Sequence, residues 1–243
     1  MKKFAVLFAV FSAVLLCAAE TPVFYASFDE NYQGNGKENR VIKGSHAQKE
    51  LPALIDGISG KAALIGASED KSQAFNILYP ASGVLNSQCG TVSFWCKAIN
   101  WDMADPYYHV FFRARGGDAE LILYKVPHPM FSFLIGPLRS VDGKKVWVEM
   151  RGNVTRWKRN EWHFVTAVWD NGKGALYLDG KLAREKEIPY MPGEFIRFGA
   201  GGLYPTKWQG KPGNSAIDEL KIYDRALTAE EISAAYAAAV AGK

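Results

Sequence analysis

Short apolar segments alternate with turn residues along almost the whole chain, and helical periodicity is nearly absent until the C-terminus. This pattern constrains the fold strongly. Period-two alternation gives a strand one buried face, and turn residues end each strand after a few positions. The main segments fall at 23–28, 91–97, 109–114, 120–125, 130–135, 145–150, 163–169, 175–178, 194–198 and 215–223. Asp179-Gly180 is a strong hairpin turn, and Asn171-Gly172 and Asp142-Gly143 are weaker ones. Many strands with no helical crossover predict an all-β, two-sheet antiparallel sandwich. The end differs: Thr228-Ala229-Glu230-Glu231 has the form of a capping box, with Ile232, Ala235, Tyr236 and Ala239 at helical spacing behind it. A short C-terminal helix over 229–240 follows.

The start has another logic. Met1-Lys2-Lys3 is basic, residues 4–16 are unbroken apolar, and Cys17-Ala18-Ala19 are small. This is the layout of a secretory signal peptide over 1–19, cleaved after Ala19. The apolar run is too short for the ~20 residues of a spanning helix. A secreted or periplasmic protein is expected, by bacterial-type export and with no transmembrane segment. Lipid anchoring at Cys17 is disfavoured, because Leu16 is bulky where a lipoprotein signal wants a small residue. Residues 20–243 then read as one domain, with no linker and no internal repeat. The formal charge of +4 includes Lys2 and Lys3, and what remains makes no case for nucleic acid.

Cys89 and Cys96 follow the leader, and export makes a disulfide conceivable. The residues between them read as a strand, whose rise of ~3.3 Å per residue sets them roughly 20 Å apart. A bridge spans about 4.4–6.8 Å between Cα atoms. Two free thiols are expected, with Cys96 buried.

Parity assigns faces. Val146, Val148 and Met150 share one apolar face, so Trp147, Glu149 and Arg151 point outward. A tryptophan beside a carboxylate and a guanidinium suits a sugar, unless a loop covers the ring. Arg113 and Arg115 share a face, by parity with Phe111; they suit an acidic sugar or sulfate, or are solvated surface charges. Leu121 and Leu123 look inward, which leaves Tyr124 outward. The 101–108 loop, with Trp101 and Tyr108, is rich in aromatics and acids, and loops carry specificity. The candidate ligand-binding set is Trp147, Arg113, Arg115, Tyr124, Trp101 and Tyr108.

Several segments resemble the LamG-like jelly-roll domains of the concanavalin A-like lectin/glucanase superfamily. Val23-Phe24-Tyr25-Ala26-Ser27-Phe28-Asp29 is similar to their opening strand, and Asp56-Gly57-Ile58-Ser59-Gly60-Lys61 to the glycine-rich turn that follows. Gly90-Thr91-Val92-Ser93-Phe94-Trp95, Glu161-Trp162-His163-Phe164-Val165 and Leu176-Tyr177-Leu178-Asp179-Gly180-Lys181 match later strands in order. The ending from Ala216 to Ile232 is the most specific piece. Residues 98–160 match only as generic strands. The resemblance implies a jelly-roll sandwich, and one structural Ca²⁺ where the first and last strands meet, on Asp29 and Asp218. Those two carboxylates could instead start a turn and accept backbone N–H bonds.

The superfamily includes glycan binders, protein binders and glycosidases, so the fold does not choose. Its glucanases set acidic residues at alternating positions on one strand, and no strand here carries such a pair. Glu120 and Glu149 are each alone, and the adjacent Asp218 and Glu219 point to opposite faces. No nucleophile–histidine pairing and no metal-ligand spacing stand out, although carboxylates from different strands can meet. The expected function is an exported, non-catalytic carbohydrate-binding module, with acidic glycans as the favoured ligands. An extracellular protein-interaction or surface-structural domain is the alternative partner class. A glycosidase or lyase is third.

Overall fold

The computed structural model describes residues 21–37, 40–45, 54–67, 74–141, 144–201 and 213–242. The leader with Cys17 and the Asp142-Gly143 turn lie outside the described residues.

Two antiparallel sheets face each other. The first runs in spatial order Lys181–Glu187, Lys173–Leu178, His163–Asp170, Cys89–Ala98, Asn214–Tyr223, Phe24–Ala26, Gly34–Gly36 and Val41–Ile42. Lys61–Ala67 pairs with the first half of the 214–223 strand, and Phe24–Ala26 with its second half. The second sheet runs Val148–Asn153, Met130–Pro137, Ala119–Lys125, His109–Arg115, Arg197–Ala200 and Ile77–Pro80. First and last strands are therefore neighbours in one sheet.

The inner faces interdigitate as alternation requires. Phe94, Val165 and Ile217 of the first sheet meet Phe112, Leu121 and Phe133 of the second in one buried cluster. A buried aromatic of this size contributes about 1.5–3 kcal/mol by leaving water. Cys96 belongs to that cluster, while Cys89 begins the same extended strand and is half-buried. Extended backbone holds the two thiols apart.

The turns form as their sequences demand. Asp179 and Gly180 have φ of 49° and 74°, and Asn171 and Gly172 have φ of 39° and 95°. Positive φ at both central positions matches a two-residue loop to strand twist. The helix Ala229–Ala241 opens with the full capping box: Glu231 N donates to the Thr228 hydroxyl at 3.2 Å, and Thr228 N donates to Glu231 Oε2 at 2.8 Å. It lies on the outer face of the first sheet, where Ile232 is buried with Trp95, Phe164 and Val168.

Three features differ from the sequence reading. Lys61–Ala67 and Ile77–Pro80 are strands without clear alternation in sequence. The segment expected at 145–150 breaks: Lys144–Lys145 pairs locally with Ser140–Val141, and the sheet strand starts only at Val148. Finally, the 109–115 strand carries a β-bulge. Leu123 faces Phe112 and Tyr124 faces Val110, so Phe111 has no opposite number and turns into the core, 6.4 Å from Phe94. Parity put Phe111 with Arg113 and Arg115; the extra residue reverses the alternation there.

Candidate functional site

Strand register on the second sheet sets out its outer face in three rows. In the first, Arg197, Arg115 and Glu120 are successive cross-strand partners, followed by Gly136. Gly136 has φ of 145°, and a Cβ there would meet the Trp147 backbone at 2.7 Å, so Trp147 closes this row. The second row is Arg113, Ile122, Leu134 and Glu149. The third is Val110, Tyr124, Ser132 and Arg151. Rows two residues apart on each strand share a face.

The middle is apolar and tightly covered: Val110, Ile122, Tyr124, Val126 and Leu134 form a cluster against which Tyr108, Met130 and Trp147 pack. Tyr108 and Tyr124 are 6.0 Å apart between ring centroids. Two ion-pair groups flank it. Arg113 Nε donates to Glu120 Oε1 at 2.5 Å and Nη2 to Oε2 at 3.2 Å, with both side chains buried. Arg115 lies 3.7 Å from the same carboxylate and is partly exposed. At the other edge Glu149 accepts from Tyr124 at 2.7 Å, from Arg151 at 2.6 Å and from Ser132. Burial pushes the Glu149 carboxyl up, but the bonds from Arg151, Ser132 and Tyr124 outweigh it, and its pKa ends below the usual value. Burial and the Glu149 bond raise the Tyr124 phenol.

The rows carry four guanidinium groups against two carboxylates, so the face favours anions. Each carboxylate is held by cations. Their strands are two apart in the sheet, and each carboxylate is bonded to an arginine on its own side of it.

The structure thus brings Trp147, Arg113, Arg115, Tyr124 and Tyr108 onto one face. Trp101 is a correction. It is buried in the inter-sheet core, stacked on His109 with centroids 3.7 Å apart, and its Nε1 donates to Ser215 Oγ at 3.0 Å. The 101–108 loop is tied to the end of the sandwich by Lys125, whose ammonium donates to the carbonyls of Asp105 and Tyr107. An aromatic in a loop has two outlets, and here the core takes it. Glu120 and Ser132 were missed as members of the face: Glu120 shares the parity of Tyr124 on its own strand, Ser132 joins only as the cross-strand partner of Tyr124, and all three are buried. Arg197 could not be found this way, because its pairing with Arg115 is long-range.

Asp29 and Asp218 both dock on the 57–61 turn. Asp218 Oδ2 accepts from Ile58 N at 2.8 Å and Ser59 N at 3.3 Å, and its Oδ1 from Glu219 N at 2.8 Å. Asp29 Oδ1 accepts from Lys61 N at 2.9 Å. Gly60, at φ of 57°, lets the turn come so close that a Cβ would stand 2.0 Å from Asp29 Oδ1. A calcium cage needs six to eight oxygens. These two carboxylates face N–H donors instead, and among the described residues no third acidic, histidine or cysteine side chain joins them. Both carboxylates are engaged by backbone N–H groups of the turn.

The model of a laminin G family, described as the concanavalin A-like lectin/glucanases superfamily, matches residues 70–233. No curated protein matches the sequence. Among solved structures, the binding domain of botulinum neurotoxin serotype D is similar with a TM-score of 0.66 at 13% identity, over 90% of this chain and 52% of that one. The serotype G receptor-binding domain gives 0.68 at 12%, over 90% and 51%. The serotype D domain solved in complex with N-acetylneuraminic acid gives 0.66 at 13%, over 90% and 51%. The chain spans about half the length of these domains, and the likeness establishes a jelly-roll fold. Among the described residues no helix is long and apolar enough to cross a membrane.

Proposed function

Because the chain belongs to the laminin G-like branch of the concanavalin A-like lectin/glucanase superfamily, we propose that it is an exported binding module whose second sheet takes an acidic glycan on its outer face. The observation that carries this is the row structure of that face. Register sets Arg197 and Arg115 in one row, Trp147 packs on Gly136 at its end, and Arg113 and Arg151 stand in the next two rows. Guanidinium forks match carboxylate or sulfate oxygens, and an aromatic ring takes the C–H face of a sugar. A domain of the same fold has been solved with N-acetylneuraminic acid, an acidic sugar, which supports this ligand class. Residues 1–19 would direct export and be removed after Ala19, which the mass of the secreted protein would reveal.

An array of neutral, sialylated, uronate-bearing and sulfated glycans tests the reading. Binding restricted to acidic glycans, weakened at least tenfold by Trp147→Ala and by Arg115→Ala, is the expected result. An empty array, or affinity indifferent to both substitutions, overturns it.

A further inference from the structure

A cavity of about 340 Å³ lies between the C-terminal helix and the outer face of the first sheet. Its origin is readable in the helix. Ile232 is 1% exposed and Tyr236 stacks on Trp95 at 5.7 Å, so these large side chains seat the helix. Ala235, Ala238 and Ala239 follow, and alanines leave the space above the sheet unfilled. The volume falls at the low end of small-molecule pockets, ~300–1,000 Å³.

The floor is polar where a helix-covered sheet face would ordinarily be apolar. Thr166, Ser93 and Lys221 are successive cross-strand partners, with Tyr25 beyond them. Thr166 is 0% exposed, and its Oγ1 has no hydrogen-bond partner among the described residues. A buried hydroxyl without a partner is unfavourable and calls for an explanation. Beside it Glu219 has φ of 53°, at an irregularity of the 214–223 strand. Its carboxylate accepts from Tyr25 Oη at 2.6 Å and Lys221 Nζ at 2.8 Å. Left-handed backbone at a non-glycine residue is strained and persists where its surroundings hold it.

These groups select a ligand. Ser93 and Thr166 each donate and accept, Glu219 accepts and Lys221 donates, so the floor matches hydroxyl groups. Glu219 and Lys221 cancel in charge, which favours a neutral molecule. Trp95, Ile232 and Ala239 line the cavity as an apolar wall. We propose that this groove binds a single neutral sugar ring, with its hydroxyls on Thr166, Ser93, Glu219 and Lys221 and its C–H face on that wall. The site is on the opposite sheet from the acidic-glycan face and does not depend on that reading.

Saturation-transfer NMR with the methyl glycosides of glucose, galactose, mannose and N-acetylglucosamine tests it on the full chain without its leader. At least one should receive saturation, with affinity reduced tenfold or more in Thr166→Val and unchanged in Trp147→Ala. Thr166→Val keeps the shape and removes the unpartnered hydroxyl, so its melting temperature should hold or rise. Ala239→Leu fills the groove from the helix side and should abolish the signal without touching the floor. No transfer to any of the four sugars, or equal transfer in wild type, Thr166→Val and Ala239→Leu, overturns the proposal.

Discussion

The Asp218 carboxylate accepts the backbone N–H of Ile58 at 2.8 Å, across 160 residues of sequence. With its bonds to Ser59 N and Glu219 N, it fixes the 57–61 turn to the last strand from a fully buried position. Asp218→Asn keeps the shape, but turns an N–H₂ toward backbone donors on one side or the other. Leaving buried donors unpaired costs about 1–3 kcal/mol, so urea unfolding should register a loss of that size. A chelator should leave the wild-type midpoint unmoved, because these carboxylates are taken up by the turn.

The buried pair Arg113–Glu120 and the pair of Glu149 with the half-exposed Arg151 should respond differently. Glu120→Ala leaves the Arg113 guanidinium, 8% exposed, facing no carboxylate at its 2.5 Å contact. Removing one partner of such a pair costs about 3–5 kcal/mol. Arg151 is 48% exposed, and Arg151→Ala leaves Glu149 its bonds from Tyr124 and Ser132, so the loss should be about 1 kcal/mol or less. Chemical denaturation of both variants measures the contrast.

His109 sets an acid limit. Burial drives its pKa down to about 4, against the Asp105 carboxylate, which raises it. The folded state therefore binds a proton less readily than the unfolded chain, whose histidine titrates near 6.5. The stabilisation is complete above ~6.5 and is lost as pH falls through the folded value of about 4. Unfolding midpoints should drop across that window, and His109→Gln should flatten the drop.

The two thiols should differ in reactivity. Cys96 is fully buried and burial raises its pKa well above the usual value, whereas Cys89 is half-buried at the strand's first residue. Without reductant, a thiol reagent should label Cys89 in the native protein and Cys96 only on unfolding. Protection of both until reduction would show that they are bridged.

Local pattern by itself determined a good part of this. Alternation is a property of consecutive residues, so it assigned Trp147, Glu149 and Arg151 to one face and Val148 and Met150 to the other. The capping box of Thr228 and Glu231 and the Asp179-Gly180 turn are local too, and their sequence carries their geometry. The tertiary structure decided what depends on partners far away. The bulge that turns Phe111 inward exists only against Leu123 and Tyr124. Trp101 entered the core because His109, Ser215 and Lys125 were there to receive it. Arg197 joined Arg115 through strand register, and the groove over Thr166 opened where alanines met a polar row of the sheet. Register and loop path arise from contacts summed over the whole fold, and no short window of sequence contains them.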